Sequence, residues 1–358
     1  MTTLLAGDIG GTKTMLALYG SAGQELEVLA EERYSSADWG DLVPMVRHFL
    51  AAAGPSLPAG AHRPSAACFA VAGPVQGGRA RLTNLPWLLD QAALAEAIGI
   101  DGGRVELVND FAVLVHGLPH LKGRQQAPVR PGSAMANEPL LIIGAGTGLG
   151  VTLGIPTASG LQAMASEAAH AEFAPRDQRE WELKQWLRED LGLERVSIER
   201  VVSGSGLAHV ARWLLAERDP QGCHPLRAAS EPAASEQAAS GQAEADQAPA
   251  DLAAAVSAAA GRGDPLAIDA LELWLAAYGS VVGDLALACL SRGGIWLAGG
   301  TAGKQLEQLR GPVFERAFLA KGRLRPVLET MPIQALIDPQ VGCYSAACRA
   351  RTLLQRTR

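Results

Sequence analysis

The sequence predicts an α/β protein, and three observations carry that prediction. Short apolar runs of strand length alternate with segments whose apolar residues recur at helical spacing. Two of those runs pass through a glycine turn into a second run, and a third passes through a glycine turn into a helical segment. The chain has 358 residues, 48% hydrophobic and 19% charged, which suits a packed core in two domains or one large one.

Taken in order, Leu4 to Asp8 reads as a short buried strand, Ile9-Gly10-Gly11-Thr12-Lys13 as a turn, and Thr14 to Tyr19 as a second strand. Asp41 to Ala53 and Gln91 to Ile98 have the spacing of helices, while Ala66 to Val71 and Val105 to Val108 have the composition of strands. Asn109-Asp110-Phe111 stands between the last of these and the helical stretch Ala112 to Leu118. The opening design then recurs: Leu140 to Ile143, a turn from Gly144 to Gly150, and Val151 to Leu153. The second half is more helical, with Glu180 to Leu191, Pro265 to Leu290 and a closing Ser345 to Leu354. Between them Ile295 to Ala298 is a strand, followed by Gly299-Gly300 and a helix over Ala302 to Leu309. Pro225 to Ala250 is Ala, Ser, Glu, Gln and Pro with almost nothing to bury, which reads as a disordered or loosely helical surface insertion.

Composition narrows the function classes. Acidic residues number 37 against 31 Lys and Arg, for a net charge of −6, so the basic excess of a nucleic-acid binder is missing. Five scattered cysteines, Cys68, Cys223, Cys289, Cys343 and Cys348, form no CxxC pair; this points to a reducing compartment rather than a disulfide framework or a zinc site. Met1 to Leu5 lacks the features of a signal peptide, and the long uncharged stretch Pro139 to Ser166 is interrupted by too many glycines for a lipid-exposed helix. A cytoplasmic protein with no membrane partner is expected.

The 40 glycines, well above the ~7% of average usage, cluster at strand ends. A glycine pair directly after a strand lets backbone N–H groups approach a phosphate, because no Cβ stands in the way. Asp8 would lie beside that phosphate, and a carboxylate there makes sense with a cation such as Mg²⁺ between them. One such turn could be a plain hairpin, but the second, from Gly144 to Gly150 around Thr147, makes two phosphate-facing hairpins the better account. No GxxxxGK[ST] string occurs, and the second glycine cluster opens a strand rather than a helix, so neither a P-loop nor a dinucleotide fingerprint fits. Asp110 has two readings: a helix N-cap, or a general base at the carboxyl end of a strand. Glu167 and His170 are spaced to offer an acceptor and a donor to a polar ligand.

With these segments in this order, the sequence resembles the bacterial glucokinase family, in its zinc-free branch, of the sugar kinase, heat-shock protein 70 and actin superfamily. The resemblance covers nearly the whole chain. It implies a two-domain actin-like ATPase (ribonuclease H-like) fold with a deep interdomain cleft, the smaller domain formed by 1–109 plus 344–358 and the larger by 110–343, with the insertion at 225–250. It implies that Asp8, Gly10, Gly11, Thr12 and Lys13 form the first phosphate motif, Gly146 and Thr147 the second, and Gly299 and Gly300 the adenosine motif. Asn84, Asn109, Asp110, Glu167, His170 and Glu199 would contact the sugar, Asp110 would be the catalytic base, and Asp8 would hold Mg²⁺ through water. The implied reaction moves the γ-phosphoryl group of ATP to the 6-hydroxyl of glucose, in a cytoplasmic homodimer of glycolysis. A kinase for another hexose or an N-acetylhexosamine is the alternative; a non-catalytic sugar sensor and an ATPase without an acceptor are the others. Two departures stand out: the usual Gly-Gly between the Glu and the His is Ala168-Ala169 here, and the CxCGxxGC zinc element is absent after His170.

Overall fold

The computed structural model describes residues 2–23, 25–58, 60–82, 85–158, 160–230 and 250–356. The chain divides into two compact units, one of residues 1–126, 152–165 and 338–358, the other of 127–151 and 166–337. Of the segment read as an insertion, residues 231–249 lie outside the described residues; before them Leu226 is buried and Arg227 is bonded to Asp219 in a short helix, Arg227–Ser230.

The strands, in chain order, are β1 (Thr2–Ile9), β2 (Lys13–Ala22), β3 (Glu25–Ser35), β4 (Ala66–Val71), β5 (Val75–Gln76), β6 (Arg79–Arg81), β7 (Leu88–Asp90), β8 (Val105–Asn109), β9 (Gln126–Arg130), β10 (Leu140–Ala145), β11 (Leu149–Thr157), β12 (Gly160–Ser166), β13 (Gly294–Ala298) and β14 (Ile333–Leu336). A five-stranded sheet has the order β3-β2-β1-β4-β8 and a six-stranded sheet the order β12-β11-β10-β13-β14-β9; β5, β6 and β7 form a small third sheet. The first five positions of the two large sheets follow one plan. Each has a glycine hairpin joining its third and second strands in that order, and a parallel strand on the hairpin's other side, β4 beside β1 and β13 beside β10. The repeat seen in the sequence is therefore a repeat of sheet topology. The uncharged stretch from Pro139 to Ser166 supplies β10, β11 and β12.

Strand alternation decides what each face of the first sheet meets. Leu5 and Ile9 of β1 with Ala67, Phe69 and Val71 of β4 join Leu42, Met45, Val46 and Phe49 of the helix Leu42–Ala53 in one buried core. The other face presents Leu4, Ala6 and Asp8 of β1 with Ala66, Cys68 and Ala70 of β4, against which the helix Val341–Arg356 packs. Those small side chains let the helix lie close to the sheet.

In the second unit the helix Pro265–Cys289 is long and apolar enough to cross a membrane, but most of it is buried in the core. Trp274 Nε1 donates to Ser203 O at 2.9 Å, and Tyr278 Oη to Ile143 O at 3.4 Å. The helix over 302–309 expected from sequence is two short pieces, Gly300–Lys304 and Leu306–Leu309, broken at Gln305, whose backbone (φ −111°, ψ 23°) leaves the helical region.

Candidate active site

In the first unit the strands β1, β4 and β8 run parallel and end together, and the polar residues stand at those ends. Gly10 N donates to Lys13 O at 3.0 Å, closing the turn after β1. A residue far away in sequence braces it: Ser36, fully buried after β3, donates through Oγ to Gly10 O at 2.8 Å, shares a 3.0 Å bond with Thr14 Oγ1, and donates through its N–H to Thr12 O. Nothing local marks Ser36 in the sequence, because its partners lie more than twenty positions away. Thr12 and Lys13 at the tip are exposed, and Gly10 and Gly11 are half-buried.

Asn109 and Asp110 follow β8. Asn109 Oδ1 accepts from the N–H groups of Phe111 and Ala112 at 3.0 and 3.1 Å, while its Nδ2 donates to Gly73 O and to Asp110 Oδ1. The turn is thus capped mainly by Asn109, and the short helix Leu114–Gly117 begins only after Val113, so Asp110 is not the N-cap of that helix. Asp110 Oδ1 accepts from Phe111 N at 3.0 Å, and among the described residues its Oδ2 has no hydrogen-bond partner. Burial, and secondarily the charge of Asp8, raises the Asp110 carboxyl to about 6; burial alone raises Asp8 to about 6.

Asp8 has a neighbour that sequence reasoning overlooked. A side-chain carbon at Gly342, in the first turn of the helix Val341–Arg356, would stand 2.7 Å from Asp8 Oδ2. An isolated glycine inside a helical pattern is a signal of close approach, and here the approaching group is a carboxylate. Among the described residues no three His, Cys, Asp or Glu side chains cluster tightly enough to hold a metal by themselves. The half-buried carboxylates of Asp8 and Asp110, close enough for the charge of one to raise the other, nonetheless suit Mg²⁺, an ion that usually keeps several waters and binds through one or two carboxylates plus phosphate.

The second unit gathers another group at the ends of β10 and β13. The hairpin between β10 and β11 is closed by Gly146 N donating to Gly148 O at 2.8 Å. Glu199 and the start of the helix Gly204–Arg218 brace it: Gly204 N donates to Gly146 O at 2.7 Å, Ser205 Oγ to Thr147 O at 3.0 Å, and Leu149 N donates to Glu199 Oε2 at 2.7 Å. Glu199 itself is fixed by Ser203, whose Oγ donates to Glu199 O at 2.7 Å and accepts from Gly206 N at 2.8 Å. Beside this, Gly299 has φ +81°, and a Cβ there would meet Ala145 O at 2.6 Å; Thr301 Oγ1 also donates to Ala145 O. The Gly299-Gly300 turn therefore abuts the start of the hairpin.

Two glycines here are not explained by the protein. Gly146 and Gly300 have ordinary φ values, and a Cβ on either would meet nothing closer than 4.0 Å. Neither backbone strain nor a protein neighbour forbids a side chain, which leaves the space in front of them for a ligand.

Glu167 and His170 lie in the same unit. Their side chains are 85% and 54% exposed, with His170 Nε2 3.5 Å from Glu167 Oε2. Ala169 between them is buried, and Ala168 N donates to Ser166 Oγ, so Ala168–His170 forms a tight 3₁₀ turn with both polar side chains pointing outward. That turn runs next to Glu199, because Ile198 N donates to Ala171 O at 2.9 Å, Phe173 N to Val196 O at 2.8 Å, and Arg195 Nη1 to His170 O at 2.7 Å. Asn84 lies outside the described residues. Within each unit the structure thus groups the residues singled out from sequence: Asp8, the first hairpin, Asn109 and Asp110 in one; the second hairpin, Glu167, His170, Glu199, Gly299 and Gly300 in the other.

Comparison with known proteins gives a consistent picture. A family model described as glucokinase matches residues 5–353. The glucokinase of Nostoc punctiforme is 40% identical over 357 residues, covering 98% of this chain and all of that protein, and that of Trichormus variabilis is 42% identical with the same coverage. Among solved structures, a glucokinase from an Antarctic psychrotroph superposes with a TM-score of 0.78 at 26% identity, covering 98% of this chain and 99% of that one. A ROK-family glucokinase from Streptomyces griseus, solved in complex with glucose and AMPPNP, has a TM-score of 0.62 at 19% identity, with coverage of 98% and 99%. The repeated sheet order and these likenesses give the fold as the two-domain, actin-like ATPase class.

Proposed function

The chain belongs to the glucokinase family, and from that premise we propose that it transfers the γ-phosphoryl group of ATP to the 6-hydroxyl of glucose, giving glucose 6-phosphate and ADP. The observation that carries the proposal is the division of labour at β8: Asn109 caps the turn, and Asp110 keeps one carboxylate oxygen without a partner among the described residues. Asp110 takes the proton of the 6-hydroxyl as that oxygen attacks the γ-phosphorus. Asn84, Glu167, His170 and Glu199 hold the other hydroxyls, while Asn109, whose side-chain donors and acceptors are taken up in the turn, orients Asp110.

Phosphoryl transfer asks the protein mainly for positioning and for donors toward the phosphate oxygens. Gly10, Gly11, Thr12 and Lys13 supply them from one hairpin and Gly146 and Thr147 from the other, while Gly299 and Gly300 leave room for the adenosine. The open space in front of Gly146 and Gly300 supports these assignments. Asp8 would hold Mg²⁺ through water, and the ion would supply positive charge to offset that of the phosphates. The reading includes a cytoplasmic, glycolytic enzyme, which five unpaired cysteines suit. It also includes a homodimer, on the sequence resemblance alone, to be tested by sedimentation equilibrium.

A panel of glucose, mannose, fructose and N-acetylglucosamine with ATP and Mg²⁺, followed by ADP release, tests the activity. Glucose is expected to give the highest kcat/KM. A preference for another sugar would reassign the substrate, and ADP release independent of any sugar would remove the kinase reading.

A further inference from the structure

Gly148 presents a puzzle if every glycine of the second hairpin serves the phosphates. Its φ is ordinary, so its backbone does not ask for glycine. Unlike Gly146, however, it has no open space: a Cβ at 148 would stand 2.5 Å from Glu199 Oε2 and 3.2 Å from its carboxyl carbon. The group that requires glycine here is therefore the Glu199 carboxylate. By lying against residue 148 it reaches Leu149 N, and the 2.7 Å bond ties it to the first residue of β11, directly after the hairpin tip.

This contact uses only one of the two carboxylate oxygens. Among the described residues Oε1 has no hydrogen-bond partner, and Glu199 is half-buried beside the Ala168–His170 turn that presents Glu167 and His170. From this arrangement we infer that Glu199 couples the two substrates: Oε2 fixes the phosphate hairpin while Oε1 receives a sugar hydroxyl, and Gly148 is the positioning residue that makes the double contact sterically feasible. The inference rests on the glucokinase reading for the identity of the two ligands. Sugar bound to Oε1 restricts the Glu199 side chain, and a restricted Glu199 holds the hairpin in place for the nucleotide. Linkage makes the effect reciprocal, so nucleotide tightens sugar by the same factor, and couplings of this kind commonly span about 5-fold to 150-fold.

The test is calorimetric titration with glucose and with Mg²⁺ and AMPPNP, each alone and in the presence of the other, on the wild type, Gly148→Ala, Glu199→Ala and Glu199→Gln. The wild type should bind AMPPNP at least about fivefold more tightly with glucose present. Gly148→Ala, whose Cβ would press on the Glu199 carboxylate, should weaken glucose binding in the absence of nucleotide and bring the coupling near unity. Glu199→Ala, although it contacts no phosphate, should weaken AMPPNP binding in the absence of glucose. Glu199→Gln, whose amide oxygen can still accept from Leu149 N, should keep most of that sugar-free AMPPNP affinity. If Gly148→Ala does not fold, the contrast between Ala and Gln at 199 decides the matter alone. A wild type that binds both ligands without coupling, or a Glu199→Ala variant whose sugar-free AMPPNP affinity matches the wild type, overturns the inference and leaves the kinase reading standing. A wild type that binds AMPPNP and not glucose overturns the kinase reading, and the coupling with it.

Discussion

At the scale of single residues, the glycines around the second hairpin differ in what the fold asks of them. Gly299 must be glycine for its φ of +81° and its contact with Ala145 O, whereas Gly146 and Gly300 meet neither condition. Gly146→Ala and Gly300→Ala should therefore leave chemical-denaturation midpoints unchanged, or slightly raised at the helical position 300, where Ala exceeds Gly in helix propensity by up to about 1 kcal/mol. The same variants should raise the KM for ATP by an order of magnitude or more through the Cβ that now faces the nucleotide. Loss of stability at either position, or an unchanged KM, would contradict that assignment. Asp110 gives a second measurement. A general base must be ionised, so with its carboxyl raised to about 6, kcat/KM for glucose should fall as pH drops through about 6 rather than near the ordinary 3.8. The Asn109 side chain lowers this carboxyl by donating to Oδ1, so Asn109→Ala should move the acid limb to higher pH. An acid limb that stays near 4 in the wild type would take Asp110 out of the base's role.

At the scale of elements, what sequence reveals depends on how far apart the determining partners are. The strands on either side of both hairpins were legible because their apolar runs and glycines are adjacent in the chain, and the helices Gln91–Ile98 and Pro265–Cys289 because their periodicity is continuous. The braces were not legible: Ser36 reaches Gly10 across 26 positions and Glu199 reaches Leu149 across 50, and no local pattern announces either bond. The break at Gln305 and the choice of Asn109 over Asp110 as the capping residue are likewise settled by tertiary packing rather than propensity. Glycines within the helix Pro265–Cys289 show the same dependence. A Cβ at Gly279 would stand 2.3 Å from Phe314 O and one at Gly283 2.6 Å from Phe318 O, so this helix and the helix Pro312–Leu319 meet backbone to backbone. Gly279→Ala, a change that helix propensity alone would favour, should instead destabilise by about 1 to 3 kcal/mol through overpacking. Equilibrium unfolding in urea measures it, and a stabilised variant would mean that the two helices can move apart at little cost.

For the whole molecule, the residues proposed to carry catalysis should weaken the fold at neutral pH. Asp8 and Asp110 both have folded-state values near 6 against an ordinary 3.8, so between about 4 and 6 the native protein binds up to two protons that the unfolded chain has released. Where the native state binds more protons, stability falls as pH rises, and by pH 7 both groups are ionised at a cost on the order of 3 kcal/mol each. Buried His209 acts in the opposite sense. Burial lowers it to about 4, with Nδ1 2.9 Å from Arg200 O and Nε2 without a partner among the described residues, so between about 4 and 6.5 the unfolded chain binds the extra proton and stability rises with pH. His120, lowered by burial and by Arg351, acts in the same sense as His209, and so do Asp90, Glu172, Asp219 and Asp269, lowered chiefly by hydrogen bonds, at the acid end; together they oppose the loss of stability that Asp8 and Asp110 cause as pH rises. Asp110→Asn removes one carboxylate from this balance while its amide oxygen can still accept from Phe111 N. In ligand-free buffer with a chelator at pH 7.5, the variant should therefore melt several degrees above the wild type, with turnover reduced about 10² to 10⁴-fold. As pH rises from 4 to 6 its stability should fall less, or rise more, than that of the wild type, because one raised carboxyl is gone. A variant that melts at or below the wild-type temperature would show that the Asp110 charge is already compensated within the protein.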